Sequence, residues 1–228
     1  MVAQNLEHMR ARIAGACERC RRNPEDITLL AVTKTFGASV VREAFDCGVR
    51  DFGENFVQEF RDKQCELNDQ RIRWHFIGHL QRNKVKDIVG KTFLIHSVDS
   101  LRLAEEISKK SVASGNSTDV LIEVKTTTEE TKFGVEPKDV ENLIHSILKL
   151  PRVNVQGLMT IGLFDPDPEK SRRCFQTLGG LRARLEQDGM RLPHLSMGMS
   201  NDFEVAIEEG STIVRIGTAL FGQRVKTA

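Results

Sequence analysis

A chain of 228 residues, 39% hydrophobic and 29% charged, holds enough apolar material for a sizeable core, which excludes disorder as its main description. With 33 basic and 32 acidic residues the formal net charge is +1, so the overall balance provides no pull toward nucleic acid. The N-terminus MVAQNLEHMRARIAGACERCRRN carries charges throughout and lacks an apolar signal core, and no stretch reaches membrane-spanning length. Together with five scattered cysteines, this predicts a cytoplasmic protein with no disulfide framework and no membrane contact.

The first segment reads as an amphipathic helix. It carries Cys17-x-x-Cys20, which lacks both a second ligand pair and a strand-to-helix context, so the thiols read as helix side chains and not as a metal or redox site. From there short apolar runs alternate with amphipathic stretches. The candidate strands are ITLLAVTK, RDFGEN, RWHFIGH, FLIHSVD, DVLIEVK, NVQGLMT, HLSMGMS and TIVRIGT. Helical patterns such as SVVREAFDCG, LRLAEEISKKSV, PKDVENLIHSILKL and EKSRRCFQTLGGLRARLEQDG lie between them. About eight strand–helix units in this length predict a single-domain (β/α)8 TIM barrel over residues 1–228, preceded by an extra N-terminal helix. A doubly wound open sheet is the competitor, weakened because G-x-G-x-x-G does not follow the first strand. Ser39 is expected to cap the helix after the first strand, Pro137 to open a helix and Gly48 to stop one. Residues 165–171 read as an exposed loop before a helix starting near Glu169.

In such a barrel the chemistry lies at the C-terminal strand ends. Those ends offer Lys34, Glu54-Asn55, His79, Asp99, Lys125, Met159-Thr160, Ser200-Asn201 and Arg215 with Gly217-Thr218. Lys34 closes the most apolar strand, where an ammonium is costly to bury unless paired or neutralised. Ser200 and Thr218 offer hydroxyls beside potential backbone donors, and Gly217 allows the chain to approach a phosphate closely. An amine at the first strand and an anion cradle at the last two point to a phosphorylated carbonyl compound. Two chemistries fit: a Schiff-base aldolase acting on a sugar phosphate, or pyridoxal 5′-phosphate (PLP) linked to Lys34.

The motifs VTKTFG, FGENFVQEF, WHFIGHLQRNK, GLMTIG, SMGMSND and VRIGTALFGQR, in this order, resemble those of the pyridoxal phosphate homeostasis proteins, relatives of the alanine racemase barrel. The resemblance runs from the first strand to Arg224 and implies a fold similar to PLP fold type III. It implies a PLP cofactor held as an aldimine on Lys34, with Ser200, Gly217 and Thr218 at the phosphate, Arg215 facing the pyridine nitrogen and Asn55 lining the pocket. His79 and the LQRNK loop match a family motif to which no role is attached. Phe56 departs from a usual tyrosine, and TKFGV departs from a usual serine before the lysine. The implied role is vitamin B6 and amino-acid or keto-acid homeostasis, with PLP-dependent apo-enzymes or regulatory proteins as partners of an expected monomer. Catalytic turnover is not expected. The chain contains no tyrosine, so the lysine–tyrosine two-base mechanism of alanine racemase cannot operate in that form. The alternative is a PLP-dependent racemase or weak lyase using His79 or a cysteine instead.

Overall fold

Each apolar run forms a strand, and each strand pairs in parallel with the next until the last meets the first. In the structure, a computed structural model in which residues 1–127 and 133–222 are described, the strands are β1 (Thr28–Val32), β2 (Asp51–Glu54), β3 (Arg73–Phe76), β4 (Leu94–Val98), β5 (Thr118–Glu123), β6 (Val153–Met159), β7 (His194–Met199) and β8 (Ile213–Ile216). The sheet closes in sequence order, which leaves no strand edge unpaired and rules out the open doubly wound sheet. Helices α1 (Val2–Arg19), α2 (Ala38–Asp46), α3 (Val57–Leu67), α4 (Leu101–Ser114), α5 (Val140–Ile147), α6 (Arg172–Gln187), α7 (Phe203–Glu208) and α8 (Thr218–Phe221) accompany it. Between β3 and β4 the connection is a 3-10 helix, Arg82–Asp87, which buries Val85.

Side-chain alternation divides the apolar residues into two compartments. One set, including Ala31, Phe52, Trp74, Ile95, Val120 and Val214, packs outward against Val41, Phe60, Ile107 and Phe175 of the helices. A smaller set, Leu30, Leu94, Leu121, Met159 and Ile213, with Ile77 against it, fills part of the barrel interior. The extra helix α1 buries Val2, Leu6, Met9, Ile13 and Cys17 at helical spacing and lies against α7 and α8. Asn5 donates to the Leu220 carbonyl at 2.9 Å, fastening α1 to the end of the chain's last described helix.

Local punctuation holds in part. Pro137 opens a 3-10 turn that leads into α5, and Gly48 follows α2 with φ of +95°. Ser39 is not the cap of α2. Gly37 is, because the turn after β1 leaves the chain extended at Gly37 and the helix begins two residues earlier than expected. The 165–171 segment is largely exposed, and Asp167 caps a 3-10 turn (Pro168–Ser171) before α6 starts at Arg172. Thr131, Lys132, Gln223 and Arg224 lie outside the described residues.

Candidate functional site

The strand ends of β1, β2, β7 and β8 surround a cavity of about 470 Å³. All six residues singled out in the sequence line it: Lys34, Asn55, Ser200, Arg215, Gly217 and Thr218. Ile161, Leu163 and Phe164 from the loop after β6 supply an apolar wall. That loop is pinned, since Asn201 donates to the carbonyls of Asp165 (2.9 Å) and Pro166 (3.2 Å).

Lys34 sits in a tight turn closed by the Phe36 N–H donating to the Thr33 carbonyl at 3.0 Å. Thr35, the next residue, has φ of +69°, a left-handed conformation that is unfavourable for a β-branched side chain. Three groups hold this turn. The Thr35 N–H donates to Glu59 Oε2 at 2.6 Å; Lys63 Nζ donates to the Thr33 carbonyl at 2.7 Å; and the Thr33 hydroxyl donates to Glu54 Oε1 at 2.5 Å. Lys63 also pairs with Glu54 at 2.6 Å, with both side chains buried. Burial pushes the Glu54 carboxyl up even with Lys63 beside it. Backbone on both sides of Lys34 is thus fixed by a buried ion pair between β2 and α3.

At the other end of the cavity, the N–H groups of Gly217 and Ala219 both donate to Ser200 Oγ at 3.3 Å. Two amides and a hydroxyl therefore share one corner, an arrangement suited to an anion. A Cβ at Gly217 would meet Val32 only at ordinary contact distances of 3.5 Å and more, so protein packing does not demand a glycine there. Asn55 is placed by Gly78: a Cβ on Gly78 would fall 2.1 Å from the Asn55 carbonyl oxygen, so only glycine lets the chain leaving β3 pass. The Asn55 Oδ1 is buried without a protein partner.

Arg215 is buried, with Nη1 donating to Ser196 Oγ (2.7 Å) and Nη2 to the Thr160 carbonyl (2.8 Å). Burial lowers its pKa to about 10, which leaves it cationic at neutral pH. Below it in the barrel interior stand His96 and His75. His96 Nδ1 lies 2.9 Å from Ser196 Oγ, His96 Nε2 lies 2.9 Å from His75 Nδ1, and His75 Nε2 lies 3.0 Å from Asp51 Oδ1. Burial holds both imidazoles below the ordinary histidine value, His96 well below. For Asp51, burial acts upward but is outweighed by hydrogen bonds from His75 and Arg73, which hold its carboxyl below the usual range.

The alanine racemase N-terminal domain family matches residues 4–225. A pyridoxal phosphate homeostasis protein of Aquifex aeolicus is 50% identical over 222 residues, 97% of each chain. The chain belongs to the pyridoxal phosphate homeostasis protein family. Among solved structures, PipY of Synechococcus elongatus with PLP bound superposes with a TM-score of 0.87 at 35% identity, covering 97% of this chain and 100% of that one. Alanine racemase of Clostridium difficile shares the fold at a TM-score of 0.80 and 16% identity, with the match covering 99% of this chain and 57% of the racemase.

Several residues of this family member were not singled out from sequence. Lys63 and Glu59 were given no role there, and His75, His96 and Ser196 fell inside the candidate strands RWHFIGH, FLIHSVD and HLSMGMS. The one available signal was a histidine inside each of two consecutive apolar runs, RWHFIGH and FLIHSVD. His79 does not join the lining of the cavity; it is stacked on Phe133 at 3.9 Å and lies 3.6 Å from Asp99. No cysteine is among the described residues lining the cavity. Glu123 lines a neighbouring cavity of about 130 Å³, and burial and Asp99 push its carboxyl up to about 7.

Three outcomes follow from this geometry. Lys63→Met strands the buried Glu54 carboxylate and should cost about 3–5 kcal/mol in urea unfolding, most of it recovered by adding Glu54→Leu. Thr35→Asn, which tolerates a left-handed backbone, should stabilise the fold by about 1 kcal/mol; an unchanged urea midpoint would show that the turn stores no strain. The third concerns acid. His75 and His96 titrate below 6.5 when folded, so the unfolded chain binds protons that the native chain does not. Stability is therefore full above 6.5 and falls as the pH drops through the lower folded values, which thermal melts across that window should record, with a flatter slope in His96→Gln.

Proposed function

We propose that this chain binds PLP in the cavity between β1, β2, β7 and β8 and serves vitamin B6 and amino-acid or keto-acid homeostasis by holding it. The observation that carries this reading is convergence. An amine from the first strand end, an amide–hydroxyl corner from the last two and a buried guanidinium face one cavity of about 470 Å³. The residues suit the group. The Ser200 corner offers donors for a phosphate, and the open side of Gly217 leaves room for it. Asn55 brings a buried oxygen that lacks a protein partner. In this reading Lys34 holds the aldehyde end, Ser200, Gly217 and Thr218 hold the phosphate, and Arg215 donates to the ring nitrogen.

Bound there, PLP supplies an aldehyde reactive toward amines and a ring able to delocalise negative charge. The chain's own residues restrain that ring. Arg215 remains protonated and can only donate, so it cannot take a proton from the cavity or present an acceptor to a protonated ring nitrogen. A binding role also accords with the described lining, in which neither His79 nor a cysteine supplies a second base. The homologous proteins are themselves named for homeostasis.

Incubating the purified protein with PLP should give a visible absorption band that borohydride removes, leaving a reduced label on Lys34 in peptide mass spectra. Lys34→Ala should lose the adduct. A full band in Lys34→Ala would place the attachment elsewhere, and a wild-type protein that takes up no PLP would overturn the function. Hydrogen exchange at Cα of amino acids should not exceed that given by free PLP; turnover above it would establish the racemase or lyase alternative.

A further inference from the structure

Interiors of (β/α)8 barrels are ordinarily filled by branched apolar side chains. Here His75, His96, Ser196 and Arg215, from four different strands, occupy that interior, each at most 5% exposed. With Asp51 they form an unbroken file of contacts between 2.7 and 3.0 Å, from the start of β2 to the cavity lined by Arg215. Burying so many polar groups is tolerable only when each is satisfied.

The two ends of the file fix its polarity. Arg215 can only donate, so Ser196 Oγ accepts from it. An ionised Asp51 can only accept, so His75 carries its proton on Nε2. Neutral His75 then accepts at Nδ1, which requires the proton of His96 on Nε2. His96 Nδ1 in turn accepts, and the Ser196 hydroxyl donates to it. Every donor and acceptor along the file is matched in one sense only. A second proton on His75 would put N–H groups on both of its nitrogens, forcing the His96 proton onto Nδ1. The fully buried Ser196 hydroxyl would then face two donors and lose its own acceptor.

We propose that Asp51, His75, His96 and Ser196 are positioning residues for Arg215, a one-way chain of hydrogen bonds that holds the guanidinium toward the ring nitrogen of the cofactor and is reversed by a proton taken up at the barrel floor. This rests on the PLP reading of the cavity. The groups facing the titrating imidazoles are Asp51, Arg73, Phe93 and His96 around His75, and His75, Ser196, Arg215 and His194 around His96. Arg73, half exposed beside Asp51, marks where the chain meets solvent.

Nitrogen-15 spectra of the imidazoles in the full-length protein without PLP test the polarity directly, with no substitution. Both His75 and His96 should be Nε2–H tautomers at neutral pH; an Nδ1–H tautomer or an imidazolium at either position would overturn the proposal. The cofactor end is tested with Ser196→Ala, which removes only the hydroxyl. This variant should keep the borohydride-trappable label on Lys34, bind PLP about tenfold more weakly and lose the acid-dependent change in the visible band expected of wild type. Unchanged affinity and an unchanged pH profile in Ser196→Ala would sink this proposal and leave PLP binding standing. Wild type that never acquires the band would remove the PLP reading, and this proposal with it.

Discussion

Parallel pairing of β1 with β8, from Thr28 opposite Ile213 to Ala31 opposite Ile216, is the contact on which the cavity depends. The loops that leave those two strands carry Lys34 on one side and Gly217 and Thr218 on the other. Their closeness is direct: a Cβ on Gly217 would lie 3.5 Å from the Val32 carbonyl. An open sheet would leave one of these strands at an edge with the amine and the anion corner apart. Closure is a long-range event, since it joins the first strand of the chain to the last, and it is reinforced where Asn5 of α1 binds the end of α8.

Two buried polar networks take over where the ladder ends, and each serves a different end of the cavity. Outside the sheet, Glu54, Lys63 and Glu59 hold the strained turn around Lys34. Inside it, Asp51, His75, His96 and Ser196 stand behind Arg215. Both use charges or imidazoles that would be costly alone; the inner file offsets that cost by matching donors to acceptors, and the outer network by the Lys63 and Thr33 bonds to Glu54 Oε1, with Glu54 Oε2 left unpartnered. The same principle explains why Arg215 can be buried yet remain cationic: two of its N–H groups are bound by Ser196 and Thr160, while Asp202 and Glu123 oppose the downward effect of burial.

The strands were legible because a parallel barrel buries both faces of each strand, and such strands are written as continuous apolar runs. That the six proposed residues would share one cavity was legible because barrel chemistry gathers at C-terminal strand ends and because their motifs resemble one family. What escaped lies one contact further out. Lys63 belongs to a helix, VQEFRDKQCEL, whose charged and amide-bearing positions give no local sign of which one is buried; only the packing of α3 on β2 shows this one lysine turned inward. His75 and His96 come together because β3 and β4 pair with His75 opposite Leu94, a register that no local pattern encodes. Ser39 misled for a related reason, since the helix start was set by the turn holding Lys34 and not by the nearest hydroxyl.

The openness of the cavity bears on the proposed distinction between holding PLP and transforming amino acids. Phe164, in the apolar wall of the cavity, is 95% exposed, and Ile161 beside it is 37% exposed. A ring lying against that wall sheds only part of its water. Charge appearing next to it would be screened by solvent, and preorganised dipoles contribute most where water is excluded. The strong fixed charge facing the cavity from the interior is Arg215, a donor held rigidly by groups behind it. In the proposed reading, such a site would grip through the Ser200 corner and the Lys34 amine while leaving the bound molecule within reach of water and other amines, an arrangement that favours reversible capture over carbanion chemistry.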